Sequence, residues 1–239
     1  MKTPRAEDPN PSWFSRHSGA LFVGGFGLVF TVAGLLIWFV AVPSASARAA
    51  AAEALSVVVP GHVPSYLEGV RVLLEAPIAV DVPEVFRDFV AFRRREFRGW
   101  KEDGARRREQ WETKEIVAPA IALGSGDLRV FVVNPDYEMK GEPHQWRSTE
   151  GLEYSLFGSS TQDVVGFRRG DLVTIDGVLE RRSRQPGIRA ATMAGGDAAT
   201  YRAGLQESVA ALQIVGPIFS GVGGILFVGG LISLCRRRK

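Results

Sequence analysis

Two uninterrupted apolar runs, residues 19–42 and 209–235, bracket a middle stretch in which apolar and polar positions alternate in short bursts. The runs hold 24 and 27 residues without a charged side chain, more than the roughly 20 that a helix needs to cross a bilayer core. They predict two transmembrane helices. Residues 44–55 are alanine-rich and free of Gly and Pro, which extends the first helix past Pro43 as a short stalk. Asp197 reads as an N-cap, and Tyr201, Leu205, Val209 and Leu212 follow at helical spacing, so a second stalk leads into the second span.

Between the stalks the period changes to that of strands. Residues 57–59, 70–74, 85–100, 108–117, 120–123, 128–133, 151–157 and 171–179 are β-branched, aromatic or leucine runs bounded by Gly, Pro or Asp, with Phe86, Val90 and Phe92 on one face of the third. Asp103-Gly104 and the GSGD of residues 124–127 predict hairpin turns. The fold class is thus membrane α+β: two transmembrane helices flanking a mainly-β extracytoplasmic domain, a small OB-like barrel or a sandwich. The expected core residues are Val90, Phe92, Trp111, Val130 and Val173. The expected divisions are a tail over 1–18, helix 1 over 19–42, the stalk-bounded domain over 43–208, helix 2 over 209–235 and a basic tail over 236–239.

Charge gives this layout a direction. Of 29 Lys and Arg, three lie in the first 18 residues and four in the last four, which leaves 22 against 24 Asp and Glu between them. The surplus is confined to the tails, and only Arg48 and Arg202 lie near the helices on the loop side. Both termini are therefore expected in the cytoplasm, with the chain in a bacterial cytoplasmic membrane. Trp13, Phe14 and Trp38 fall where interfacial aromatics belong. The tripeptide Ala45-Ser46-Ala47 keeps a cleaved signal sequence open as an alternative.

Few residues point to chemistry. The single cysteine, Cys235, cannot form an internal disulfide; it reads as a small apolar residue at a helix end, with S-palmitoylation beside Arg236 as the alternative. His62 and His144 fall in separate loops, so no zinc spacing is present and no metal or cofactor is expected. Ser159 and Ser160 lack a nucleophile-elbow frame, and GSGDLRVF lacks the lysine of a phosphate loop. Glu102 and Asp103 sit in a turn, which gives a carboxylate pair no acid–base role. No catalytic residue is assigned. The clusters Arg93-Arg94-Arg95 and Arg106-Arg107-Arg108 fall on facing strands, where Arg95 is expected opposite Glu112, Arg98 opposite Glu109 and Trp100 opposite Arg107. Cross-paired charge on a slightly acidic domain argues against nucleic acid.

The apolar runs carry a finer pattern. Ala20, Gly24, Gly27, Thr31 and Gly34 recur at alternating four and three residues, and Gly216, Ser220, Gly223 and Gly230 repeat it with Phe227 interrupting. Such seams let helix backbones approach closely, within one chain or between copies in a homo-oligomer.

The order of these features resembles a known family. FVAFRRREFRGW, then QWETKEIVAPAIALGSGDLRVFVVNP, then FRRGDLVTIDGVLE, then IRAATMAGGDAATYRAGL before a second helix are similar to the GIDE-type two-pass membrane proteins. The residues that carry the likeness are Val90 with Arg93, Trp111-Glu112, Asp127 before Val130, Asn134-Pro135 and Gly170-Asp171, within residues 57–239. In ubiquitin-ligase members a cytoplasmic RING follows the second helix. Four residues and one cysteine from Cys235 onward hold no such zinc domain after the span, so ligase activity is not expected. What the resemblance implies is a membrane-anchored interaction or sensing module without catalysis of its own, whose partners are the bilayer and another membrane or extracytoplasmic protein. A structural subunit of a membrane complex, or an enzyme with an unrecognised site, are the alternatives.

Overall fold

The computed structural model describes residues 13–103, 106–148, 162–182 and 185–236. They form two bodies: a helical one from the two ends of the chain, and a mainly-β one over residues 51–204.

The helical body holds α1, Trp13–Leu36, which passes through a π-helical turn, Ile37–Ala41, into α2, Val42–Ala54, and it also holds most of α3, Ala198–Arg236. The π turn has a local cause. Pro43 has no N–H to donate, and the Val42 N–H reaches back to the Ile37 carbonyl, which widens the helix by one residue and lets it run through the proline. Ser18–Ala54 and Ala198–Cys235 are each long and apolar enough to cross a membrane. Phe22, Phe26, Phe30 and Phe219 stack in sequence along the pair, with ring centroids 5.8, 4.9 and 5.2 Å apart.

The β body contains eleven described strands in two sheets. They are β1 Val57–Val58, β2 Arg71–Pro77, β3 Phe89–Asp103, β4 Arg106–Val117, β5 Ala122–Ser125, β6 Leu128–Val132, β7 Glu138–Lys140, β8 His144–Arg147, β9 Gln162–Arg168, β10 Leu172–Arg182 and β11 Gln185–Gly195. The larger sheet runs β1-β2-β10-β11-β6-β5, with β7 also on β11. β5 also meets the residues that follow β2: Ile78 bridges Leu123, and the Ala79 N–H donates to the Ala122 carbonyl at 3.0 Å. The inward face is aliphatic, with Val72, Leu74, Ile78, Leu123, Val130, Val173, Ile175, Ile188 and Met193 at most 1% exposed. The β5–β6 hairpin turns at Gly126-Asp127, where Gly126 takes φ +57°, a left-handed conformation that glycine adopts at low cost.

The smaller sheet runs β4-β3-β9-β8. The expected and observed strands differ most in this sheet and in β11. The third strand begins at Phe89, because residues 85–88 form a tight turn in which Phe89 N–H donates to Phe86 O at 2.9 Å and Arg87 takes φ 51°. A register shift between Phe89 and Ala91 then sends Val90 into the larger core while Phe86 packs with Phe92 in a second cluster. The β3–β4 turn lies one residue later than Asp103-Gly104 implies, since Asp103 faces Arg106; Gly104 itself is outside the described residues. With shifts at Arg94/Arg95 and Phe97/Gly99, Arg95 faces Thr113, Trp100 faces Glu109 and Glu102 faces Arg107. β7, β8, β9 and β11 are strands that the sequence pattern does not predict; in β11 only Ile188 and Met193 are large among the buried residues, the others being Gly187, Ala190, Thr192 and Ala194. The expected strand at 151–157 and the serines 159 and 160 lie outside the described residues.

Candidate functional site

A cleft of about 510 Å³ opens where β6 and β11 diverge. These parallel strands pair only at Phe131–Gly187 and Val132–Ile188. Gly187 allows that approach, because a Cβ there would lie 2.8 Å from Val133 Cγ1. Before this point Pro186 has no N–H to continue the ladder, and the strands separate. The walls come from Asp81, Val82 and Pro83 after β2, from Ala120, Ile121 and Ala122 entering β5, and from Phe131, Val132 and Val133.

Two charged side chains line this apolar space, Asp81 and Arg129. Arg129 Nη1 donates to Asp81 Oδ2 at 2.6 Å and its Nε donates to the Gly126 carbonyl at 3.0 Å, so the guanidinium is braced from both sides. The Arg129 hydrogen bond holds the Asp81 carboxyl below its ordinary range. Beside them Arg169 Nε donates to the Val82 carbonyl at 2.7 Å and its Nη1 lies 3.1 Å from Glu84. No local motif marks this site in the sequence; it is assembled from four segments that the sheet brings together.

The arginine cluster of β3 is absorbed by neighbours on both faces of the smaller sheet. Arg93 bonds Glu142 and the Met139 carbonyl, and Arg95 pairs with the fully buried Asp163, which also accepts from Gln145 Nε2 at 2.8 Å. Arg94 lies 3.3 Å from Glu115 and over the Phe86 ring. Arg98 bonds Glu112 and not the expected Glu109; Glu109 instead takes Arg147 at 2.9 Å and Trp111 Nε1 at 2.9 Å. His144 also departs from expectation: it opens β8 and lies 2.8 Å from Asp171, which in turn accepts the Arg168 N–H. Among the described residues no group of three or more His, Cys, Asp or Glu is arranged to hold a metal ion.

Of the five expected core residues, Val90, Phe92, Val130 and Val173 are at most 2% exposed. Trp111 is only half-buried, because it lies on β4 beyond the reach of β9 and is covered by Phe97 and the Arg95 and Arg147 guanidiniums.

The nine small helix residues fall on one contact line. A Cβ on Gly27 would lie 2.3 Å from the Phe227 nitrogen, one on Gly34 2.4 Å from the Ser220 nitrogen, and one on Gly230 2.6 Å from Gly24 Cα and 3.0 Å from the Ala20 carbonyl. A Cβ on Gly223 would lie 2.4 Å from the Thr31 nitrogen, and Gly216 lies against Gly34 and Ile37. α1 and α3 are thus antiparallel partners in backbone contact, and Phe227 does not interrupt the seam because Gly27 yields to it.

No family model, curated protein or solved structure matches this chain.

Proposed function

We propose that this chain is a two-pass protein of a bacterial cytoplasmic membrane, with both termini in the cytoplasm and an extracytoplasmic OB-like barrel that works as an interaction or sensing module. The cleft between β6 and β11 carries the binding reading. Its volume falls in the range of small-molecule and side-chain recognition sites, and its lining is apolar with a braced ion pair at the edge, the usual composition of a recognition pocket. The contact of β5 with the residues that follow β2 supports the barrel, and the resemblance to GIDE-type proteins supports a partner in or beside the membrane. The apolar length of both helices and the basic surplus of the tails support the topology. Native membranes carrying the tagged full chain, solubilised and purified beside an Ala120→Trp variant that fills the cleft, test the binding reading. A specific companion protein or small molecule lost from the variant is the expected result; identical companions in both would contradict it.

A further inference from the structure

We propose that the cleft between β6 and β11 takes a long-chain aliphatic carboxylate, with the hydrocarbon on the part-exposed Phe131, Val133 and Pro186 and the carboxylate on the outer edge of Arg129. The assignment rests on the reading of this domain as a binding module and names the ligand class of that site.

The lining favours a chain over a ring. Its apolar surface is aliphatic apart from Phe131, so it offers one aromatic face and no stacking pair. It also disfavours an extended peptide added to the sheet, because Pro186 removes the N–H that the first docking pair would use.

The head group follows from Arg129. A guanidinium carries five N–H donors. Asp81 and Gly126 occupy Nη1 and Nε, and Nη2 has no partner among the described residues while the side chain is one-third exposed. Arg129 lines the cleft with its guanidinium braced by Asp81 and Gly126, and the remaining edge suits one planar acceptor. Asp81 beside it sets an upper limit on charge: a singly charged carboxylate can share Arg129 with Asp81, whereas a phosphate dianion would meet more repulsion.

The experiment uses the full chain in lipid nanodiscs with a photoreactive diazirine fatty acid of about eighteen carbons, adducts being mapped by mass spectrometry. Adducts are expected on residues 120–133 and 185–187, competed by oleate at least about tenfold better than by oleyl alcohol. Arg129→Met should abolish that preference for acid over alcohol, Asp81→Asn should retain or strengthen it, and Ala120→Trp should remove cleft adducts while leaving those on the helices. Adducts confined to residues 18–54 and 198–235, or equal competition by acid and alcohol, would overturn the assignment. A companion still lost from Ala120→Trp in native membranes would then leave the binding-module reading standing, so the two failures are distinguishable.

Discussion

Gly34 and Ser220 meet backbone to backbone: a Cβ on Gly34 would lie 2.4 Å from the Ser220 nitrogen and 2.7 Å from the Gly216 carbonyl. Neither contact is with the far end of a flexible side chain, so a larger residue must separate the helices. Gly34→Leu is expected to destabilise the helical pair by about 1–3 kcal/mol, the usual scale of overpacking. Gly25→Leu, with nothing within 4 Å of its Cβ, should be close to neutral. Thermal unfolding of the full chain in one lipid composition separates the two, and equal effects would mean that the seam is not a contact in the folded protein.

The domain core allows a similar comparison. Phe92 is 2% exposed among Phe86, Phe89 and Val164, whereas Trp111 is half-buried on a two-stranded extension. Phe92→Ala should cost about 3–5 kcal/mol, and Trp111→Ala clearly less despite the larger side chain deleted. Denaturant unfolding of the full chain measures both, and a Trp111 loss equal to that of Phe92 would contradict the placement.

These two pairs also show what the sequence makes legible. The helices and their seam are readable because glycine spacing and uninterrupted apolarity are local signals, and all nine seam residues are found in contact. The β domain is only partly readable: β2, β6 and β10 are legible as Val, Leu and Ile runs, whereas β9, with Val164, Val165 and Phe167, and β11, opened by Pro186 and Gly187, are not among the expected strands. Register was lost at bulges, where one extra residue at Arg98 changes every later partner in the hairpin. The cleft has no local signature, because Asp81, Arg129 and Pro186 are far apart in sequence and meet only in the fold.

Tyr201 is one point where α3 is bound to the larger sheet, beside the Ala198 N–H that donates to Glu75 at 3.1 Å. Its hydroxyl donates to Asp176 Oδ2 at 3.1 Å, and Asp176, 4% exposed, also takes Arg71 through two 2.8 Å bonds. Tyr201→Phe removes one bond and should cost about 1 kcal/mol. Asp176→Ala leaves the Tyr201 hydroxyl and the Arg71 guanidinium without their acceptor and should cost about 2–4 kcal/mol. If hydrogen exchange in residues 198–204 is unchanged by Asp176→Ala, the anchor assigned to this cluster is wrong.

Asp197 gives a pH-dependent test. Its carboxylate accepts the Thr200 N–H at 2.8 Å at the start of α3, and hydrogen bonding to the Thr200 side chain and then to that N–H lowers its pKa from the ordinary 3.8. A carboxyl whose folded pKa is depressed adds stability that is fully present above the unfolded value and is lost as pH falls through the folded one. The wild-type advantage over Asp197→Ala should therefore be constant near neutrality and disappear as pH drops below 3.8. An advantage that persists in strong acid would show that the cap does not act through its charge.

The central claim is the topology, and cysteine accessibility tests it most directly. Leu67 is 78% exposed on the β body, and Cys235 is the single native cysteine. In a Cys235→Ala background, Leu67→Cys and Thr3→Cys are treated with a membrane-impermeant maleimide in sealed right-side-out vesicles. Leu67→Cys is expected to label at once and Thr3→Cys only after the vesicles are opened. Labelling of both before opening, or protection of both, would contradict a two-pass protein whose barrel lies outside the cytoplasm.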